Sequence, residues 1–185
     1  MSYLTYTKHQ RGFTLIELLL AAGIMAGISA MAVPAISHWL DQYGLRTAIL
    51  DVRQFLIQAR SEAILRGQKI RLSSQQSSDL MSWCLGYRVE LSCDCWQTDV
   101  NHDDACMMQV ENSKHLFRIL SDSYPGIQLS KHFNPEFNPL HGGVRSPGRF
   151  TLVKESYSAQ IRIALLGRVS LCDEGRYMGE WDACP

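Results

Sequence analysis

The chain has 185 residues, of which 46% are hydrophobic, and its 18 basic and 18 acidic residues give a formal net charge of zero. This balance argues against a protein built to coat nucleic acid, since such domains are normally strongly basic. The length provides for one domain with its own hydrophobic core beyond the N-terminal segment and leaves little room for a second.

The first element in chain order is an apolar segment. From Leu18 to Leu40 no Asp, Glu, Lys or Arg occurs. A helix over these residues, with a rise of about 1.5 Å per residue, would be long enough to cross a hydrocarbon core of about 30 Å. Lys8 and Arg11 precede the segment, so the positive-inside rule places the N-terminus in the cytoplasm. We therefore expect a single-pass membrane protein whose C-terminal domain is exported.

Glu17 is unusual because it lies within the apolar run, where a carboxylate is costly and marks a functional site by default. No basic residue lies within one helical turn on its C-terminal side. The sequence therefore predicts a cationic partner on another chain. A cut after Gly12 would create such a cation, the α-amino group of Phe13.

The segment GFTLIEL at positions 12–18 resembles the processing motif of type IV prepilins and type II secretion pseudopilins. The resemblance implies that a membrane-embedded prepilin peptidase cleaves between Gly12 and Phe13 and methylates the new amine of Phe13. It also implies that Glu17 meets the amine of a neighbouring subunit during filament assembly.

The predicted organisation follows from this cleavage site. Residues 1–12 form a leader, residues 13–40 the transmembrane and filament-core half of a helix, and residues 41–185 an exported domain that includes the rest of the helix. Loss of the leader removes two basic residues, which leaves 16 basic and 18 acidic residues and a net charge of −2.

Two other interpretations fit the N-terminus less well. An ordinary secretory signal peptide has the same basic start and apolar core, and Ala30-Met31-Ala32 fits its cleavage pattern. Glu17 and the continuation of the helical pattern beyond Ala32 argue against it. A plain single-span anchor leaves the Gly-Phe-x-x-x-Glu spacing unexplained.

Beyond the apolar segment, the helical pattern continues with only one apolar face. Apolar residues recur at spacings of three and four from Leu45 to Ala63, with charged and polar residues between them. Arg66 followed by Gly67 predicts the end of the helix, since glycine tolerates the positive φ of a helix stop. We predict one helix from about Thr14 to Arg66, with its second half packed on the domain.

The remainder of the chain predicts an antiparallel sheet. Candidate strands show alternating or continuous apolar patterns and cover residues 69–72, 83–91, 116–120, 127–129, 150–153, 159–165 and 169–172. Residues 73–79 are predicted to form a polar loop, and Gly167-Arg168 a hairpin turn. The predicted fold class is α+β, a pilin fold with one long N-terminal helix packed against an antiparallel β-sheet.

The chain has six cysteines, an even number in an exported and oxidising compartment, so disulfides are expected. Cys172 and Cys184 lie together at the C-terminus and are predicted to pair. The other four are expected to pair among themselves in an order that the sequence leaves open: Cys84, Cys93, Cys95 and Cys106.

Neither a metal site nor a cofactor is predicted. The clustered cysteines with His102 and Asp103 resemble zinc ligands superficially, but their spacing and compartment favour disulfides. Residues 99–104 begin like a calcium loop, yet Asp104 stands at the glycine position and Val110 at the glutamate position, so an EF-hand is excluded. A looser calcium site stays open. No recognisable catalytic motif occurs, and we do not expect an enzyme.

The helix end, with ARSEA at 59–63, and GRVSLC at 167–172 resemble minor pilins of the FimT/FimU type and the H-type minor pseudopilin. In FimT-type pilins that take up DNA, the resemblance implies a Gly-Arg-x-Arg loop that contacts phosphates; here Ser170 replaces the second arginine. Arg145, Arg149 and Arg162 could supplement Arg168 electrostatically. DNA is therefore a candidate partner, although not the favoured one.

The favoured interpretation is a minor type IV pilin that primes or caps pilus assembly through contacts with major and minor pilins. The resemblance implies three further partners, namely the prepilin peptidase, the inner-membrane assembly platform and membrane lipid. DNA uptake during transformation and an H-type pseudopilus of type II secretion are the alternatives. We expect the protein in the inner membrane before assembly and in a pilus at the cell surface afterwards.

Overall fold

The computed structural model describes residues 13–78, 81–175 and 181–184, apart from the side chains of residues 31–35 and 175. Two compact units divide the chain, with their boundary between Trp39 and Leu40. Gly12 and the basic residues before it, on which the predicted cleavage and topology depend, lie outside the described residues.

Helix α1 (Leu15–Arg66) agrees with the predicted helix at both ends. At its start, the hydroxyl of Thr14 accepts a hydrogen bond of 3.3 Å from the backbone N–H of Glu17, which satisfies one of the amides that a helix start leaves unpaired. At its end, Gly67 has a φ of 64°, and its N–H and that of the next residue donate to carbonyls of the last turn. This Schellman pattern explains why the helix stops at glycine.

Ten strands and a short 3-10 helix (Ser121–Ser123) follow. The strands are β1 (Ile70–Gln76), β2 (Trp83–Val89), β3 (Met107–Val110), β4 (Ser113–Leu116), β5 (Arg118–Leu120), β6 (Gln128–Lys131), β7 (Glu136–Phe137), β8 (Gly148–Lys154), β9 (Tyr157–Ile163) and β10 (Val169–Gly175). One sheet has the order β5-β2-β1-β7, a second β10-β9-β8-β6, and β3 pairs with β4 alone. The strand pairs are antiparallel, which confirms the predicted α+β class.

One face of the second half of α1 is buried in the core of the domain. Its fully inaccessible side chains are Leu45, Ala48, Ile49, Val52, Leu56, Ala59 and Ala63. They share one hydrophobic cluster with buried residues of both four-stranded sheets, such as Trp83 and Phe150. Burial of one leucine or isoleucine side chain contributes about 1.5–3 kcal/mol, so this face holds the helix on the sheets.

Polar contacts also hold this half of the helix. The Tyr124 hydroxyl donates a hydrogen bond of 3.0 Å to the Asp51 carboxylate, and Lys154 Nζ lies 3.4 Å from an oxygen of Asp41. Burial, together with the hydrogen bond to Asp51 and its charge, raises the pKa of Tyr124 to about 12. The folded state therefore favours the neutral form of the Tyr124 side chain.

One sequence prediction about the sheets was wrong, and one hairpin was not predicted. The polar loop predicted at residues 73–79 is a strand as far as Gln76, because Ser73 and Ser74 are buried with partners for their polar groups. The amide oxygen of Asn134, for example, accepts hydrogen bonds from both the backbone N–H and the hydroxyl of Ser74. The hairpin of β3 and β4 was missed because Met108 is its only buried residue, which leaves no alternating apolar pattern.

Among the described residues, no helix combines the length and the apolarity that a membrane span requires. The predicted span and inner-membrane topology stay predictions.

Candidate functional site

The N-terminal turn of α1 carries the predicted processing and assembly residues. Phe13 is 78% exposed, and Glu17, also exposed, lies in the first turn. Within the described residues, Glu17 makes no ion pair. Thr14 caps the helix by accepting a hydrogen bond from the backbone N–H of Glu17, a local role for Thr14 that the sequence reasoning missed. A partner for Glu17 on another chain stays a prediction.

The apolar side chains of the first half of α1 are exposed. Those of Leu15, Ile16, Leu18, Leu19, Leu20, Ile24, Met25 and Ile28 are 56–78% accessible. Apolar surface on this scale is unfavourable in water and is typical of a segment that is covered by lipid or by other protein.

The second sheet brings arginines together on one face. Arg149 of β8 lies directly opposite Arg162 of β9, and Arg162 lies opposite Ser170 of β10. Together with Arg168 they line a cavity of about 690 Å³. We call this cavity the arginine groove and define it by Arg149, Arg162, Arg168 and Ser170, with Leu165 in its wall.

The charges of the arginine groove are uncompensated within the part of the chain that the structure describes. The three guanidinium groups are exposed, and none makes a hydrogen bond or an ion pair there. Like charges directly opposite one another on adjacent strands are destabilising. The pair of Arg149 and Arg162 is therefore a feature that the fold alone does not favour.

Arg168 is positioned by a tight loop between β9 and β10. The N–H of Gly167 donates to the carbonyl of Ala164 over 2.7 Å, and the N–H of Ala164 donates to the carbonyl of Arg168 over 3.0 Å. Gly167 has a φ of 76° and lies so close to the carbonyl oxygen of Gly142 that a Cβ would be only 1.8 Å away. The loop therefore requires glycine both for its backbone conformation and for its packing.

Arg60 of α1 also holds this loop in place, through hydrogen bonds from its guanidinium group. Its Nε donates to the carbonyl of Gly142 over 3.1 Å, and a terminal guanidinium nitrogen donates to the carbonyl of Leu166 over 3.4 Å. Arg60, which lies in one of the two segments that carry the minor-pilin resemblance (residues 59–63), thus binds the residue that directly precedes the other segment (residues 167–172). Sequence reasoning assigned no role to Arg60, since a hydrogen bond between a side chain and a distant carbonyl leaves no periodic pattern.

Arg145 does not join the other predicted arginines. It lines a separate cavity of about 330 Å³ together with Lys69, Glu136 and His141. Glu136 accepts a hydrogen bond of 2.5 Å from Arg71, and its carboxylate lies 3.2 Å from Lys69 Nζ. The hydrogen bond from Arg71 is the main cause that lowers the pKa of Glu136. Glu136 therefore offsets part of the positive charge around this second cavity, whereas no carboxylate among the described residues lines the arginine groove.

The structure also shows how the six cysteines pair. Cys172 is joined to Cys184, the pair that the sequence singles out. The order that the sequence left open is Cys84 with Cys95 and Cys93 with Cys106. These two bonds enclose an acidic segment, residues 90–104. No group of three or more His, Cys, Asp or Glu side chains within the described ranges is arranged to hold a metal ion.

The family model of the type II transport protein GspH matches residues 48–167, more than half of the chain. The chain belongs to this family. The GspH match covers Arg60 and the loop as far as Gly167. A second model, of the prokaryotic N-terminal methylation motif, matches residues 7–33, which contain Gly12, Phe13 and Glu17. Proteins with this fold and motif are structural subunits, so the GspH-family protein described here is not an enzyme.

Two crystal structures of the type IV minor pilin FimU of Pseudomonas aeruginosa are similar to the chain, at 17% and 18% identity. Each alignment covers 69% of this chain, with 91% and 87% of the FimU chains and TM-scores of 0.41 and 0.40. Among curated proteins, none matches the sequence. Membership of the GspH family with a methylation motif makes this protein a minor pilin or a GspH-like pseudopilin, whose partners are other pilins or pseudopilins.

Proposed function

We propose that this protein is a minor pilin that primes or caps the assembly of a type IV pilus. The observation that carries the proposal is the methylation-motif match over residues 7–33, at the start of a helix whose first half exposes its apolar side chains. A segment of this kind is suited to lie in lipid before assembly and against the helices of other subunits afterwards.

The proposed sequence of events begins with a precursor in the inner membrane. The prepilin peptidase removes residues 1–12 and methylates Phe13, and the assembly platform then transfers the apolar half of α1 from lipid into the filament core. Glu17 pairs with the amine of a neighbouring subunit. A charge pair in an apolar bundle has few competing partners, so it acts mainly as a positional device that sets the register of the helices.

The first test of this proposal is the mature N-terminus. We expect the intact mass of the native protein, or its N-terminal sequence, to begin at a methylated Phe13. A bulky residue in place of Gly12 should leave the precursor in the membrane. A mature protein that begins at Val33, as a signal peptidase would produce, contradicts the proposal.

The second test concerns Glu17. We expect Glu17→Ala to leave cleavage and membrane insertion unchanged and to lower the amount of the subunit recovered in filaments, because the carboxylate pairs only between chains. Glu111→Ala, an exposed carboxylate in the hairpin of β3 and β4, is the matched control and should assemble like the wild type. Wild-type recovery of Glu17→Ala would remove this residue from the mechanism.

Deletion of the gene distinguishes the alternative functions. A subunit that primes or caps a type IV pilus should be required for piliation, whereas an H-type pseudopilin should be required for type II secretion with pili unaffected. A DNA receptor should be required for transformation while pili persist.

DNA binding is the second candidate function because three of the predicted arginines share the arginine groove. The purified protein should then shift duplex DNA in a salt-dependent manner, and Arg168→Ala should lower the log–log salt slope by about 0.9 for one lost phosphate contact. We expect a weak shift or none at physiological salt, since the mature chain carries a net charge of −2. A robust shift that Arg168→Ala removes would favour DNA uptake.

A further inference from the structure

Two loops of the domain expose leucine side chains beside the arginine groove. The loop between β7 and β8 carries Leu140, which is 88% exposed. The loop between β9 and β10 carries Leu165 and Leu166, which are 56% and 78% exposed. Leu165 also forms part of the wall of the groove. We call these three residues the leucine patch.

Hydrogen bonds join the two loops to each other and to the end of α1. The N–H of Val144 donates to the carbonyl of Leu165 over 2.9 Å, and Arg60 donates to a backbone carbonyl of each loop. Further hydrogen bonds within residues 138–143 close the first loop. The leucines are therefore held in exposed positions, and a surface that is fixed in advance loses little conformational freedom when a partner binds.

The arginine groove places positive charge next to the leucine patch. Arg149 and Arg162 lie opposite each other on adjacent strands, and Arg168 lines the same cavity. None of the three has a carboxylate partner among the described residues. Because Leu165 belongs to both features, a partner that covers the patch also meets the arginines.

The combination of leucines and arginines favours an acidic and apolar protein surface as the partner. Apolar side chains are the groups that best cover exposed leucines, and carboxylates form charge-assisted hydrogen bonds with arginine. The backbone of duplex DNA offers phosphates and would leave Leu140 and Leu166 in water. A second copy that presented the same surface would place arginines against arginines, which is repulsive.

Anionic lipid offers similar chemistry, but the domain is joined to its proposed anchor at the other end of the helix. The domain begins at Leu40, and Arg60, which binds both loops, lies about 30 Å farther along α1. The family of this chain has other pilins or pseudopilins as its partners. A protein subunit is therefore the occupant that these observations favour.

We propose that the leucine patch and the arginine groove together bind a different pilin subunit, which presents apolar side chains flanked by carboxylates. The proposal rests on the filament function proposed above and names the surface that is used and the chemistry of the partner. The contact joins two unlike chains, as a subunit that primes or caps an assembly requires. The leucines supply the buried apolar area, and the arginines orient the partner and disfavour wrong partners.

The experiment places the photoreactive amino acid p-benzoylphenylalanine at Leu166 of the full-length protein, in cells that assemble the filament. Irradiation joins this position to its neighbour, and mass spectrometry of the adduct identifies the neighbouring chain and the contact peptide. Leu91, which is 59% exposed and lies outside the proposed surface, is the matched control position. We expect Leu166 to yield an adduct with a different chain that has an N-terminal methylation motif, on a peptide that contains Asp or Glu. Leu91 should yield no adduct with that chain.

Charge reversal tests the arginines in the same assay. Arg149→Glu with Arg162→Glu should lower the adduct yield about tenfold, because like charges then face each other. Lys114→Glu with Lys131→Glu changes the net charge equally at exposed positions outside the surface and should leave the yield unchanged. Replacing the contacting Asp or Glu of the partner by Lys should restore the yield of the reversed variant. Thermal unfolding of each purified variant, expected to match the wild type, shows that the domain is folded.

Three results would overturn the inference. A yield at Leu166 no higher than at Leu91 would show that no partner covers the leucine patch. An adduct with a second copy of this chain, with lipid or with DNA would assign the surface to another occupant. A yield unaffected by the arginine reversal would remove the groove from the contact. A failure of the proposed function is distinct from these results, because it appears in the same cells as a mature N-terminus other than Phe13 or as absence of the subunit from filaments.

Discussion

The two halves of α1 have the same secondary structure and opposite surroundings. In residues 15–30 the apolar side chains are exposed, whereas from Leu45 to Ala63 the apolar side chains at spacings of three and four are fully buried in the core of the domain. In the second half, polar and charged residues occupy the other faces, and the sheets of the same chain cover the apolar one. The first half is apolar on all faces, a pattern typical of a helix that is surrounded by lipid or by other helices.

This difference separates the part of the helix that serves folding from the part to which we assign assembly in the proposed function. The second half contributes to the free energy of unfolding of the domain, while the first half leaves its apolar side chains exposed, which is the surface that the proposed function assigns to lipid and neighbouring subunits. Changes in the two halves should therefore have separable effects, and the predictions below run from the largest expected change in domain stability to the smallest.

The largest loss of domain stability is expected from a substitution that creates a cavity beneath the buried half of the helix. Leu56 is fully buried, so Leu56→Ala should lower the free energy of unfolding of the domain by about 2–5 kcal/mol. Leu19→Ala, at an exposed leucine of the first half, is the control and should not change it. Denaturant unfolding of the full-length protein in detergent measures both, and equal losses would break the comparison of the two halves.

A second effect concerns the C-terminal disulfide, which closes the domain without involving the first half of α1. Replacing Cys172 and Cys184 together by serine should lower the free energy of unfolding by about 3 kcal/mol, because the cross-link between them constrains the unfolded chain. Membrane extraction of the variant should be unchanged. An unfolding midpoint equal to that of the wild type would show that this disulfide is dispensable for stability.

A smaller effect is expected at the hydrogen bond between Tyr124 and Asp51, which joins the second half of α1 to the domain. Tyr124→Phe should lower the free energy of unfolding by about 1 kcal/mol at neutral pH. Because the pKa of Tyr124 is raised to about 12, this contribution is present below the ordinary value of 10.0 and is lost as the pH rises towards 12. The difference between wild type and variant should therefore shrink over that window, and a constant difference would contradict the assignment.

The smallest effect is expected at Glu136, which joins β7 to Arg71 of β1 away from the helix. Its pKa is lowered, so its contribution is present above the ordinary value of 4.5 and is lost as the pH falls through and below that value. Glu136→Gln should lower the free energy of unfolding by no more than about 1 kcal/mol at neutral pH, since the pair is partly exposed. The variant should also show a shallower loss of stability in acid. A steeper acid loss than in the wild type would contradict the lowered pKa.

Part of the candidate site was predictable because its signals are local in sequence. The spacing of Gly12, Phe13 and Glu17 indicated the processing motif. The methylation-motif model matches this region, residues 7–33, and the GspH model matches residues 48–167 of the following domain. The arginines were identified as candidates by residue type alone. Their grouping was not predictable, since Arg145 is separated from Arg149 by only four positions and yet lines a different cavity.

The sequence by itself determined the extent of α1, the change from an all-apolar to a one-sided helix, and the helix stop at Gly67, because helical periodicity and a glycine C-cap are encoded within a few residues. Only the tertiary structure decided that Arg149, Arg162 and Arg168 share one groove, that Arg60 holds the loop of Arg168, and how the four central cysteines pair. These contacts join residues far apart in the chain, and strand register and loop packing place them together.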